Sequence, residues 1–137
     1  MFNSKTLLAS TLVAVLAFAA AAPATPSPTQ EASVTIEICS GSCPTGGVTV
    51  PVVSDGCINL TGGLSFLNKE ISSAVVPGGF VCTFFQDFGC IATGTGNAPS
   101  DSEAVLTGGT WNFFSVPGLS GPIDFNDLTS SISCSPI

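Results

Sequence analysis

The chain has 137 residues, enough for one domain, and its charges are sparse: two cations, nine Asp plus Glu, no His and no Tyr. The cations are Lys5 and Lys69, and there is no Arg. A nucleic-acid partner is therefore excluded, because nothing replaces the phosphate counterions. A Ser-His-Asp triad, a Cys-His dyad, a P-loop and a His-based zinc site are excluded for want of their residues.

The N-terminus reads as an export signal. Lys5 supplies a weak positive start, and Leu7 to Ala22 is apolar apart from Ser10 and Thr11. The run is too short and Ala-rich for a membrane span, which takes about 20 strongly apolar residues. Small residues at Ala19 and Ala21 place cleavage after Ala21, so residues 1–21 are the signal peptide. What remains carries Lys69 against nine acids, a balance that disfavours anionic membranes and polyanions and attracts cations. Residues 22–33 form a Pro/Ser/Thr-rich leader with no apolar periodicity.

All six cysteines, Cys39, Cys43, Cys57, Cys82, Cys90 and Cys134, follow the leader. An even count in a small exported chain predicts three disulfides, and six cysteines allow 15 connectivities. With no CxxC pair and no His, a metal cluster is the poorer reading.

From Val34 the signals are β: short runs rich in Val, Ile, Phe and Thr between Gly, Pro, Ser and Asp clusters. Val34–Ile38 alternates with period two. Further candidate strands are Val48–Val53, Cys57–Leu60, Phe80–Phe85, Trp111–Phe114 and Ile132–Cys134. No stretch shows a capped helical pattern longer than two turns. The spacing predicts an all-β sandwich or barrel.

An internal repeat organises these strands. Leu67-Asn68-Lys69-Glu70-Ile71-Ser72-Ser73 matches Phe125-Asn126-Asp127-Leu128-Thr129-Ser130-Ser131. Leu60-Thr61-Gly62-Gly63 matches Leu106-Thr107-Gly108-Gly109, and Ser42-Cys43 matches Gly89-Cys90. The second copy is longer before Asn126, which places an insertion in the segment Val116–Pro122. The copies meet near Val76-Pro77-Gly78-Gly79, giving motif A at about 34–77 and motif B at about 78–135 of a single domain, 34–137.

A duplicated β unit ending in Asn-x-x-x-Ser-Ser resembles the βγ-crystallin fold. More closely, LNKEISSAVVPGGFVCTFFQDFGC and FNDLTSSISC resemble small secreted, cysteine-containing βγ-crystallin-like proteins of fungi and bacteria. The resemblance covers Val34 to Cys134, although the aromatic pattern usual in the first strand is replaced by Ile36 and Ile38. It implies a sandwich of two Greek-key motifs, with the third strand of each crossing to the other sheet. Neither copy can bury its apolar face alone, and pairing encloses one core. Candidate core residues are Ile36, Ile38, Leu60, Leu64, Phe66, Ile71, Val75, Phe80, Phe84, Leu106, Trp111, Phe113, Phe125 and Ile132. First and fourth strands are neighbours in this fold, which implies a Cys82–Cys134 bridge and leaves Cys43–Cys57 with Cys39–Cys90 as a guess.

The resemblance also implies calcium as the one candidate cofactor. The family signature [N/D][N/D]xx[S/T]S is matched in motif B at Asn126, Asp127, Ser130 and Ser131. Motif A keeps Asn68, Ser72 and Ser73 but has Lys69 in place of Asn or Asp. Calcium takes six to eight oxygens, so the resemblance implies Asn126, Asp127 and Ser130 as ligands, with Asn68 and Ser72 in a site that Lys69 degrades, each set completed by backbone oxygens from the other motif's hairpin. Asp87 in the Gln86-Asp87-Phe88-Gly89 hairpin is a further contributor. An extracellular-module Kd of about 10⁻⁴ to 10⁻³ M gives only about 0.4 to 1.4 kcal/mol at about 1 mM calcium. The serine pairs also read as turn chemistry, bonding backbone across a folded hairpin, and that reading is the stronger.

Other candidates are weaker. Asn59-Leu60-Thr61 is the one glycosylation sequon. Trp111 reads as core before it reads as a sugar platform. Asp101 and Glu103 are a conceivable glycosidase pair in a polar loop with no evident cleft. The leading expectation is a secreted, disulfide-stabilised, non-enzymatic and monomeric protein. It acts outside the cell on a protein or glycan partner, as an effector-like interaction factor, with no catalytic residue. A calcium-binding structural or stress protein comes second, and a carboxylate-only cell-wall hydrolase third.

Overall fold

The computed structural model describes residues 21–23, 33–93 and 102–137. Most of the export segment and leader, and Asp101, lie outside the described residues. The elements are β1 Thr35–Cys39, β2 Gly47–Pro51, β3 Cys57–Asn59, a 3-10 turn Gly62–Leu67, β4 Ser73–Phe85, β5 Glu103–Asn112, β6 Val116–Gly118, β7 Gly121–Ile123 and β8 Ser131–Pro136. None of the described helices is long and apolar enough to cross a membrane.

The 13-residue β4 belongs to both motifs. Its first part pairs with β1 through Ser73 to Val75 and with the end of β5, Gly109 to Asn112. A register shift between Val76 and Val81 re-aims the strand at Pro77-Gly78-Gly79, where Gly79 has φ +78°. Beyond it, β4 pairs with the start of β5 and with β8. One layer is therefore β2, β1, the first part of β4 and the end of β5. The other is the start of β5, the second part of β4, β8 and β3. β3 leaves motif A to pair with β8 of motif B, and the end of β5 makes the reverse crossing. These are the two Greek keys with exchanged third strands.

Alternation aims the core. Ile36, Ile38, Val50, Ala74 and Val76 face inward from one layer, and Cys82, Phe84, Ala104, Leu106 and Ile132 from the other. Phe113 sits between Phe84 and Phe125, with ring centroids 4.8 and 6.4 Å away in edge-to-face geometry. Two expected core residues are elsewhere. Phe66 is 58% exposed on the 3-10 turn, whose inward residue is Leu67. Val75 lies between the inward Ala74 and Val76, so strand parity turns it away and leaves it half-buried. Leu64, Phe80 and Trp111 are half-buried against the core margin.

The expected strands extend further than the apolar runs. β4 begins at Ser73 and β5 runs through Thr107-Gly108-Gly109-Thr110, which reads as a turn in sequence. Glycine is needed at Gly108 because a Cβ would stand 2.9 Å from Gly78 Cα and 3.0 Å from Pro77 O. The repeat landmark Leu-Thr-Gly-Gly is not topologically equivalent in the two copies. Gly62-Gly63 follows the third strand of motif A, whereas Gly108-Gly109 joins the second and third strands of motif B. The insertion is real in kind: Val116–Pro122 builds most of the β6–β7 hairpin, where motif A has only its 3-10 turn.

All six cysteines are bridged: Cys39–Cys43, Cys57–Cys90 and Cys82–Cys134. Cys82 and Cys134 face each other in the β4–β8 register. The expected Cys43–Cys57 and Cys39–Cys90 pairs are replaced. Cys43 lies in the β1–β2 loop, close enough to close on Cys39 at the end of β1. Crossing β3 to β8 carries Cys57 instead to the hairpin after β4, beside Cys90. Closing longer loops removes more chain entropy. Paired Cys→Ala replacements are therefore expected to destabilise in the order Cys82/Cys134, then Cys57/Cys90, then Cys39/Cys43. The chain-entropy model gives about 4 kcal/mol for the first and about 2 for the last, read as shifts in thermal unfolding. Greatest loss from the four-residue bridge would contradict this order.

Candidate metal centre

The two Asn-x-x-x-Ser-Ser segments meet at one end of the sandwich and grip each other. Lys69 N–H donates to Thr129 O at 2.9 Å, and Asp127 N–H donates to Ile71 O at 3.1 Å. The bonds are equivalent under exchange of motifs, since Lys69 aligns with Asp127 and Ile71 with Thr129. Lys69 and Asp127 both hold left-handed backbone, at φ +61° and +57°. Asp adopts that region readily and Lys seldom does.

Each segment is also tied to its own motif. Ser72 N–H donates to Cys39 O at 2.9 Å, and Ser130 N–H to Phe85 O at 2.7 Å. Ser73 Oγ accepts from Cys43 N–H at 2.9 Å and donates to Gly41 O. Ser131 Oγ accepts from Cys90 N–H at 2.9 Å and donates to Asp87 O at 2.6 Å. The second serine of each pair thus folds its motif's first hairpin over the sandwich end, the turn role that sequence favoured.

The side chains break the symmetry. Lys69 Nζ reaches into motif B, donating to Leu128 O at 2.7 Å and to Gln86 O. Exchange of motifs maps Leu128 onto Glu70 and Gln86 onto Ser40, but Asp127 meets motif A through its backbone, at Ile71 O. Asp127 is exposed, and its carboxylate accepts from Asn126 Nδ2 at 2.7 Å. Among the described residues, Asn68 Oδ1 and Asn126 Oδ1, at matching positions, are buried acceptors without a hydrogen-bond donor, and the Thr129 hydroxyl is buried without a partner.

This geometry can be set beside known proteins. No protein-family model matches the chain, and no curated protein does either. Solved structures do match. The N-terminal domain of Protein S is 20% identical, with a TM-score of 0.50, covering 76% of this chain and 98% of that one. A βγ-crystallin domain from Flavobacterium johnsoniae is 22% identical with a TM-score of 0.47, covering 74% and 93%. A βγ-crystallin from Ciona intestinalis is 22% identical with a TM-score of 0.47, covering 73% and 98%.

The chain has a βγ-crystallin fold.

Calcium would have to fit the oxygens that these two segments offer. On the motif B side the backbone carbonyls already hold an ammonium, so those residues do not fit a metal as they stand. Motif B itself keeps oxygen-bearing side chains at Asn126, Asp127 and Ser130, and the Asp127 carboxylate is exposed. That chemistry suits a hard cation. The sequence expectation assigns the fuller ligand set to motif B and the degraded one to motif A, and the Lys69 side chain of motif A crosses to the motif B carbonyls Leu128 O and Gln86 O. Asp87, expected to contribute, has its carboxylate bonded by the Thr93 hydroxyl within its own loop.

The remaining candidates are scattered. Asn59 ends the edge strand β3, and its Oδ1 accepts from Gly89 N–H at 2.7 Å beside the Cys57–Cys90 bridge. Trp111 is half-buried, its Nε1 donating to Thr107 O at 2.7 Å. It lines an open groove of about 390 Å³ with Ser115, Val116 and the β6–β7 hairpin. Glu103 opens β5 opposite Phe85, and Asp101 lies outside the described residues. Among the described residues, the one cluster of metal-type side chains is Glu37 with Cys39 and Cys43. The disulfide leaves it a single carboxylate.

The reciprocal lock and the ammonium were not legible as contacts, although Lys69 stood out as a departure. Thr129 occupies the position of the apolar Ile71, both fully buried. Replacing its orphan hydroxyl by a methyl, Thr129→Val, is expected to stabilise by about 1 kcal/mol, a rise in Tm of about 5 °C. A lower Tm would mean that the hydroxyl has a partner.

Proposed function

We propose that the protein is a secreted, non-enzymatic βγ-crystallin-type factor that works outside the cell by binding, in the manner of an effector-like interaction protein. The observation that carries this reading is the closure of all six cysteines into three bridges on a small sandwich. Bridges of this kind persist in oxidising surroundings. The export signal expected at 1–21 points the same way. The β6–β7 insertion supplies the contact face: Phe114 and Leu119 are 59% and 71% exposed beside the Trp111 groove. Exposed apolar groups on the turn before the hairpin, Phe114, and at its tip, Leu119, favour a protein or neutral glycan over a polyanion.

Produced from the full chain in its own type of host, the protein is expected in the medium. It should begin at Ala22, show no titratable thiol and run as a monomer. Retention in the cell with free thiols would sink the reading. The double variant Phe114→Ser/Leu119→Ser should keep the wild-type Tm and lose at least tenfold in binding to target-cell surfaces.

A second reading, a calcium-stabilised structural protein, is favoured by the exposed Asp127 carboxylate that motif B keeps where motif A has Lys69. In 5 mM calcium a module-type site would raise stability by about 1–2 kcal/mol over EDTA, or about 5–10 °C in Tm. Asp127→Ala should abolish that rise. Coincident midpoints in calcium and EDTA would leave the serine pairs as turn chemistry only.

A further inference from the structure

We infer that Lys69 is a built-in cation. Its ammonium takes the place at the motif B carbonyls that a metal ion would otherwise fill, and so one end of the motif interface is locked without metal. The inference concerns the seat opposite Asp127, so it stands whether or not the wild-type protein binds calcium.

Three observations converge on it. Nζ donates to two backbone carbonyls from separate parts of motif B: Leu128 O at 2.7 Å in the Asn-x-x-x-Ser-Ser segment, and Gln86 O in the hairpin after β4. Those carbonyls belong to different loops, and a single positive centre between them holds the loops together. Charge-assisted bonds of this kind are about twice as strong as neutral ones.

The second observation is the backbone. Lys69 sits at φ +61°, where Asn, Asp or Gly would be more comfortable. Motif B has Asp at the matching position, with nearly the same φ of +57°. The local chain therefore does not call for lysine, and the two carbonyl bonds are what the lysine adds. The third is reach. The backbone N–H of the same residue is anchored on Thr129 O at 2.9 Å, so the side chain starts from a fixed point beside its acceptors. Lys69 is also the only cation left once the export segment is removed, in a chain with nine acids.

The test uses the oxidised mature chain, 22–137, and four variants, read by thermal unfolding and by calcium titration calorimetry. In EDTA, Lys69→Met keeps the aliphatic stem and the backbone cost but removes the charge. It is expected to lower Tm by about 4–8 °C. Lys69→Arg should retain most of the wild-type Tm and take up no additional calcium. Lys69→Asn removes the ammonium and adds an oxygen donor. It should bind one more calcium ion per chain than the wild type, and regain in calcium the Tm it loses in EDTA. Asp127→Lys places a lysine at the matching position of motif B, on backbone of nearly the same φ. It should fold in EDTA with at least the wild-type Tm and bind no calcium.

A Lys69→Met Tm equal to wild type would overturn the locking role. Equal calcium uptake by Lys69→Asn and wild type would overturn the claim that the ammonium stands in a metal's place. If Lys69→Met fails to fold, Lys69→Arg decides: a wild-type Tm supports the tethered charge, and a loss as large as that of Lys69→Asn in EDTA overturns it. The wild-type calcium response reports on Asp127 only, so its absence leaves these readings intact.

Discussion

The fold depends on one strand being shared. β4 is the fourth strand of motif A up to Val76 and the first strand of motif B from about Phe80, and it passes between layers at Pro77-Gly78-Gly79. Every other strand of the two main layers takes its place from it directly or at one remove: β1, β5 and β8 pair with it, β2 follows β1 and β3 follows β8, while β6 and β7 pair with each other. A shared strand leaves each motif incomplete alone. The missing position in each layer is filled by the third strand of the other motif, so the apolar faces close only when both copies are in place.

The same reciprocity governs the end of the sandwich. Lys69 and Asp127 are held in left-handed backbone by each other's motif, through Thr129 O and Ile71 O. A repeat that folds by exchange also exchanges its functional groups. A substitution in one copy is felt in the other, so the Asn-x-x-x-Ser-Ser segments have to be read as a pair. The serines stay within their own motif and clamp its hairpin, while the second-position backbone N–H groups cross, and Lys69 sends its side chain across as well. Divergence at that one position, lysine in one copy and aspartate in the other, puts opposite charges at two equivalent backbone positions.

The disulfides follow the same geometry. Cys82–Cys134 staples first to fourth strand within motif B, and Cys57–Cys90 staples the exchanged β3 of motif A to the hairpin of motif B. The second bridge makes strand exchange covalent. Cys39–Cys43 closes only a local loop at the end of β1. Two of the three bridges therefore secure the sheet that contains the exchanged β3 and β8, and the layer of β1 and β2 is left to packing by Ile36, Ile38 and Val50.

Much of the architecture was legible in sequence because it is local. Period-two alternation at Val34–Ile38, the duplicated Asn-x-x-x-Ser-Ser and an even set of cysteines state an all-β, duplicated, disulfide-bearing domain without any contact being known. The core positions that failed were those set by parity and by a neighbour's path: Val75 is displaced by Ala74 and Val76, and Phe66 by Leu67. Strand lengths were underestimated where glycine serves a close approach of two backbones, as at Gly108, since a glycine pair looks the same in a strand as in a turn. Which seat Lys69 occupies, which cysteine Cys57 meets, and which serine carries a hairpin were decided only by tertiary structure. Each is fixed by exchange of strands between the motifs, an interaction between residues far apart in the chain. Local pattern records what a residue prefers, and only the closed sandwich decides whose partner it becomes.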